Sequence, residues 1–155
     1  MPIFNDEKFI KDALDSIMAQ SYKNFELIII DDHSIDNSPE IISLFKDERI
    51  KVYRNETNLG IAKSRNKALK VAKGKYIFFT DSDCIADKDW LKEGIKTFKK
   101  YKCPSVEGLT YYVKKGYKAS SSDKLPGTAE TPGVYLGCES ACNNNPPIGK
   151  IGIQN

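Results

Sequence analysis

The chain has 155 residues, 40% hydrophobic and 29% charged, with a formal net charge of +3. That is the composition of one soluble globular domain, long enough to bury a core. No apolar run approaches the ~20 residues that span a bilayer, and Met1-Pro2-Ile3-Phe4-Asn5 lacks the basic and apolar regions of a signal peptide, so a cytoplasmic protein is expected.

Ile3-Phe4 reads as the end of a short first strand. Asn5 or Asp6 can cap a helix whose apolar positions Phe9, Ile10, Ala13, Leu14, Ile17 and Met18 draw one buried stripe. Residues 25–30 are nearly continuous in apolar side chains and predict a strand covered on both faces, ending in Asp31-Asp32. Ser38-Pro39-Glu40 reads as a cap, a first-turn proline and a first-turn acid, opening a short helix over 40–45. A strand over 50–53 follows. A loop through Asn58-Leu59-Gly60 then leads into a helix carrying Ile61, Ala62, Arg65, Leu69 and Ala72, which Gly74 stops. Residues 76–80 predict a strand running into Asp81-Ser82-Asp83, and 87–101 a helix with Trp90, Leu91, Ile95 and Phe98. Residues 105–113 predict a further strand, with Gly108 marking a bend or a close backbone approach. Residues 114–133 read as a long loop, and 143–155 as poorly ordered.

Strands alternating with helices predict an α/β fold with a Rossmann-like, mostly parallel, doubly wound sheet. In such sheets the ligand crevice lies outside the carboxyl ends of the strands. Asp31-Asp32 and Asp81-Ser82-Asp83 both fall there, so one shared site is expected.

Two carboxylates on alternate residues at the end of a buried strand need a counter-charge. Mg²⁺ or Mn²⁺ would supply it, since hard cations take carboxylate oxygens. In the plainer reading Asp81 caps the next segment and Asp83 sits in an ordinary turn. The matching pair at Asp31-Asp32 and the loop glycine Gly60 favour a ligand site. A metal bridging a diphosphate needs only one or two protein carboxylates and stabilises charge on a departing diphosphate. Asp32 is suited to accept hydrogen bonds from a base or sugar, and Phe4 offers a face for stacking. His33 is a turn position beside the acids, and Arg65 reads either as a phosphate ligand or as a structural arginine.

Cys84, Cys103, Cys138 and Cys142 contain no Cys-x-x-Cys pair, and His33 is the only histidine, so free thiols in a reducing compartment are expected rather than a zinc site. Charge is uneven along the chain. Residues 1–90 carry 14 basic and 16 acidic side chains, whereas 91–155 carry 10 and 5. The lysines of 92–118 read as a solvated face, or as a surface drawn to anionic lipid headgroups or a phosphorylated acceptor. No aromatic–basic motif of a nucleic-acid module is present, so no nucleic-acid partner is expected.

Pro2-Ile3-Phe4-Asn5, Asp31-Asp32-His33-Ser34-Ile35-Asp36, Asn58-Leu59-Gly60 with Arg65-Asn66, Gly74-Lys75-Tyr76-Ile77 and Asp81-Ser82-Asp83 together resemble the family 2 glycosyltransferases in order and spacing over the first ~90 residues. The resemblance implies the A-type glycosyltransferase fold and inverting, metal-assisted transfer of a sugar from a nucleotide diphosphate, usually UDP, to a saccharide or lipid-linked acceptor. By position it implies a nucleotide site of Pro2, Phe4, Asn5, Asp32, Gly60, Asp81 and Ser82. Asp83 and Asp81 would hold the metal, and Glu107 and Gly108 would lie near the donor sugar. It divides the chain into a donor-binding domain over 1–113 and a loop-rich acceptor-side remnant over 114–155.

The family pattern has several more apolar residues ahead of Pro2, and its later acidic general base has no counterpart before Asn155. The chain is therefore expected to be short at both ends, with its catalytic base unassigned. The alternative readings are a catalytically incomplete nucleotide- and metal-binding fragment, or a sugar nucleotidyltransferase. The latter would show a glycine- and basic-rich phosphate loop where Asn5-Asp6-Glu7 stands. A phospho-accepting signalling domain would need a late-strand lysine that is not evident.

Overall fold

The computed structural model describes residues 1–101, 109–112 and 135–138. Its elements run β1 (Pro2–Ile3), α1 (Ile10–Met18), β2 (Leu27–Asp31), α2 (Ser38–Ser43), β3 (Ile50–Arg54), α3 (Ile61–Val71), β4 (Cys84–Ala86), α4 (Trp90–Tyr101), β5 (Leu109–Tyr112) and β6 (Tyr135–Cys138). The first three strands form a parallel sheet in the order β1-β2-β3. Parallel neighbours need crossover connections, and α1 and α2 supply them. In the second sheet, ordered β4-β6-β5, β6 runs antiparallel to β4 and parallel to β5. The expected α/β class holds, with the described strands divided between two sheets.

β2 is the centre of the first sheet, and all five of its residues are buried. Its unbroken apolar run is what a strand covered on both faces requires. The α1 stripe packs as expected, with Ile10, Ala13, Leu14 and Ile17 buried. Gln20, fully buried just beyond α1, donates to the carbonyl of Asp87 at 2.6 Å and accepts from the amide of Leu91 at 3.0 Å. These bonds tie the end of α1 to the start of α4.

Helix starts differ from expectation for a common reason: the expected caps are used elsewhere. α1 begins at Ile10 with no side-chain cap, and the amides of Phe9 and Ile10 both donate to the backbone carbonyl of Asp6. α2 begins at Ser38, two residues early, because the Asp36 carboxylate accepts the Ser38 amide at 3.0 Å.

The larger difference concerns residues 76–80, which lie in no strand ladder. β1 contributes only Pro2 and Ile3, paired opposite Ile30 and Asp31, so the earlier part of β2 has no strand on that side. A cavity of about 650 Å³ lies there, lined by β2, α3, α4 and residues 76–80. Ile77, Phe78 and Phe79 are half-buried in consequence. The α3 stripe is affected likewise. Ile61 and Ala62 are exposed, Leu69 and Ala72 are half-buried at the cavity, and only Ser64 of this helix is buried.

Trp90 is core, as expected, and packs edge-on against Phe78 with ring centroids 5.2 Å apart. A Cβ added at Gly94 would lie 2.6 Å from the Phe78 ring. Gly94→Ala is therefore expected to destabilise the protein by about 1–3 kcal/mol, the usual cost of overpacking. Urea unfolding measures this, and an unchanged midpoint would show that Phe78 yields freely.

Candidate functional site

Asp31 and Asp32 are adjacent carboxylates at the carboxyl end of β2, 2% and 3% exposed. Burying two such charges side by side is costly unless each is compensated. Asp31 meets Arg54 of β3, with Nη1 to Oδ2 at 2.6 Å, and accepts the Ser34 amide at 2.8 Å. Asp32 has no cationic partner among its hydrogen bonds. Its Oδ1 accepts from Asn55 Nδ2 at 2.7 Å and from the Leu59 amide at 2.8 Å, and its Oδ2 accepts the Gly60 amide at 2.7 Å. Burial alone would raise the Asp32 pKa. The hydrogen bonds from Asn55, Leu59 and Gly60 outweigh that and hold it below the usual value.

Asp32 thus anchors the loop that starts α3. Gly60 sits there at φ 84°, a left-handed conformation that glycine adopts without steric cost. Asn55, buried after β3, also bonds Ser64 Oγ at 3.0 Å and accepts Lys67 Nζ at 2.7 Å. One amide side chain therefore joins β2, β3 and α3.

The turn after β1 is built in the same way. Asn5 has φ 56°, its amide donates to Ser34 Oγ, and its Oδ1 accepts the Ile35 amide at 2.8 Å. Asp6 Oδ2 accepts both the Phe4 amide and the Ser82 hydroxyl. This carboxylate fastens the Pro2–Asn5 stretch to the Asp81-Ser82-Asp83 turn. On the other side, Arg65 Nη2 reaches Asp81 Oδ1 at 2.6 Å, and its guanidinium carbon lies 6.0 Å from the Phe79 ring centroid. The counter-charge expected from a cation is provided for Asp81 by Arg65.

The structure brings together the sequence-selected Pro2, Phe4, Asn5, Asp32, Gly60, Asp81, Ser82 and Asp83 at one end of the first sheet. Pro2 and Ser82 are buried, Asp81 and Asp83 half-buried. Phe4, Ile35, Leu59 and Ile61 are exposed large apolar side chains, each following the carboxyl end of β1, β2 or β3. Glu107 and Gly108 lie outside the described residues, as do 143–155. Asp6, Arg54, Asn55 and Ser64 are site residues that the sequence reading did not select. The available signal was position: Arg54 ends β3 and Asn55 directly follows it.

Among the described residues no group of three or more His, Cys, Asp or Glu could hold a metal ion. Asp81 and Asp83 remain as a pair of hard oxygen donors, and the Cys84 thiol lies 3.6 Å from Asp83 Oδ1. One or two carboxylates fit a magnesium or manganese ion whose remaining ligands are phosphate oxygens and water. His33 is exposed at φ 71°, an ordinary turn residue. Cys84 lies opposite Cys138 in register. On α4, Lys92 and Lys96 pair with Asp89 and Glu93, while Lys99 and Lys100 are exposed at its end.

The fold is that of the A-type glycosyltransferases. S. aureus TarS 1–349, solved in complex with UDP, matches it with a TM-score of 0.68 and 31% identity, over 78% of this chain and 37% of the TarS 1–349 chain. The chain belongs to glycosyl transferase family 2, whose family model matches residues 1–138. WfaP of Escherichia coli, named a UDP-Glc:alpha-D-GlcNAc-diphosphoundecaprenol beta-1,3-glucosyltransferase, is 34% identical over 146 residues, covering 90% of this chain and 55% of WfaP. TuaG of Bacillus subtilis, a putative teichuronic acid biosynthesis glycosyltransferase, is 38% identical over 104 residues, 66% of this chain and 41% of TuaG. The chain thus spans about half the length or less of these relatives. The mannosyltransferase PcManGT of Pyrobaculum calidifontis, solved with GDP-Man and Mn²⁺, shares the fold at 24% identity and a TM-score of 0.66.

Proposed function

We propose that this chain binds the donor in an inverting glycosyltransferase that moves a sugar from a UDP-sugar to a saccharide or lipid-linked acceptor. The observation that carries this reading is the tethering of Asp81-Ser82-Asp83 to the Phe4 turn through Asp6 and to α3 through Arg65. An exposed aromatic ring and a pair of carboxylates with the oxygen donors a divalent cation takes are thereby held in one site. The UDP and UDP-GlcNAc complexes of TarS and the UDP-Glc donor and diphosphoundecaprenol acceptor in the name of WfaP support the substrate classes.

In this reading Phe4 stacks on the base, on a turn shaped by Pro2 and Asn5. Asp32 fixes the Gly60 loop with its backbone open to the nucleotide, and Ser82 holds the acidic turn in register. Asp83 and Asp81 would hold Mg²⁺ or Mn²⁺, which when bound neutralises charge on the departing diphosphate. Arg65, already beside Asp81, adds a second positive charge there. Glu107 and Gly108 would serve the donor sugar.

Thermal unfolding with UDP alone, Mn²⁺ alone and both together tests the site, because a ligand that binds only the folded state raises apparent stability. The expected result is a shift that is largest with both, its Mn²⁺-dependent part absent in Asp83→Asn. No shift with any combination would overturn the UDP assignment. For the acceptor side, we place the exposed lysines beyond Lys96 against anionic headgroups at the inner face of the membrane. Co-sedimentation with phosphatidylserine vesicles, lost at high salt, is the expected result, and equal recovery with neutral vesicles would reject it.

A further inference from the structure

β4 and β6 run antiparallel, and Cys84, the first residue of β4, stands directly opposite Cys138, the last residue of β6. Residues opposed in this way have Cα atoms about 4.5–5.5 Å apart and lie on the same face of the sheet. A disulfide spans Cα separations of about 4.4–6.8 Å, so the backbone already stands within its reach. The fold thus brings two of the four cysteines, far apart in the chain, to one rung of a ladder.

Two further observations bear on what this pair does. Cys84 directly follows Asp83, and its thiol lies 3.6 Å from Asp83 Oδ1. β6 is the middle strand of its sheet, with β5 on its other side. A bond between the two sulfurs would therefore tie β6, and β5 through it, to the acidic turn.

We propose that Cys84 and Cys138 form a reversible thiol–disulfide pair, oxidised by a low-molecular-weight disulfide and reduced again by the corresponding thiol. In the oxidising direction the Cys138 sulfur attacks the small disulfide, releases one small thiol and leaves a mixed disulfide. The Cys84 sulfur then attacks Cys138 and displaces the second small thiol, which completes the bond between the strands. The two protons and two electrons given up by the protein thiols leave on the two small thiols. Cys84 is 7% exposed, which shields it from a bulky oxidant and suits it to the second, intramolecular step.

The register also decides how readily the bond opens. Opposed residues hold their Cβ atoms about 4.5–5.5 Å apart, whereas a disulfide brings them to about 3.5–4.5 Å. The strands must be drawn together, and a strained bond is the more easily reduced. This staple opens and closes with the thiol balance around it.

The test holds the full chain in an excess of oxidised glutathione, digests it without reductant and maps the linked peptides by mass. The expected product is a monomer joined between Cys84 and Cys138, with two of its four thiols lost. It should melt on the order of 5–10 °C above the reduced chain, and an excess of reduced glutathione should reverse both changes. Cys138→Ser leaves the buried Cys84 in place and should abolish the link and the melting shift. The double variant Cys103→Ser/Cys142→Ser should keep them. Links that involve Cys103 or Cys142 instead, a glutathione adduct that never resolves, or a bond between two chains would each overturn the proposal. So would a Cys84–Cys138 bond that reduced glutathione fails to open. None of these readouts involves nucleotide, so failure here leaves the donor-site reading to its own test.

Discussion

Asp32→Asn is expected to lower stability by about 2–4 kcal/mol and to weaken the UDP-dependent thermal shift severely, although the substitution changes no volume. The Asp32 carboxylate accepts from three donors, two on Oδ1 and one on Oδ2. An asparagine has one acceptor oxygen, so its amide nitrogen must face a donor, whichever way it is turned. Each buried donor left unmet costs about 1–3 kcal/mol, more where a charged acceptor is lost. The loss should concentrate on the Leu59–Gly60 backbone and the start of α3, where hydrogen exchange would accelerate.

The pH dependence gives a second check on the same carboxylate. Its folded pKa is depressed, so the stabilisation is present above the unfolded carboxylate pKa. It disappears as pH falls through the folded one. Asp32→Asn should remove that part of the acid limb of the stability curve. An unaltered midpoint together with an unaltered UDP shift would mean that the loop does not depend on Asp32.

The other large effect is expected from the Met1 amine. Burial, partly offset by the negative charge of Asp81 and aided by the positive charge of Arg65, lowers its pKa from 8.0 to about 5. The unfolded chain therefore binds a proton below pH 8.0 that the folded chain refuses until about pH 5. Stability must then rise with pH across that window and fall as the solution is acidified through it. A difference of about three pKa units corresponds to about 4 kcal/mol at 1.36 kcal/mol per unit. Urea midpoints at pH 5.5 and pH 8 measure it. Acetylation of the amine, which removes the titrating group, should flatten the profile. A flat profile for the unmodified chain would show that the amine reaches water.

How much of this was legible in the sequence depends on how local each cause is. Leu27-Ile28-Ile29-Ile30 announces a doubly covered strand because no face of it is polar, and β2 is entirely buried. The acids of Asp31-Asp32 and Asp81-Ser82-Asp83 could be placed in one site because a parallel α/β sheet sends its strand ends to one side. Asp6 has the local signature of a helix cap and nothing more. Its bond to Ser82 spans 76 positions in the chain and has no local signature. Arg65 fits a ligand role and a structural one equally well in the sequence, and its contact with Asp81 depends on how α3 packs. Residues 76–80 carry the pattern of a strand, but a ladder also requires a neighbour, and that side of β2 is a cavity.

The exposed apolar rim of Phe4, Ile35, Leu59 and Ile61 has an evolutionary consequence. The floor of the site is a closed web in which Asp6, Asp31, Asp32 and Asn55 hold one another's neighbours, so most changes there are paid in folding stability. The rim side chains are 46%, 83%, 43% and 54% exposed, and exchanging them removes little buried surface. A lineage can therefore drift through rim variants while remaining folded. If the donor-site reading proposed above holds, new preferences for base or sugar would emerge from those four positions long before any change in the web beneath them became tolerable.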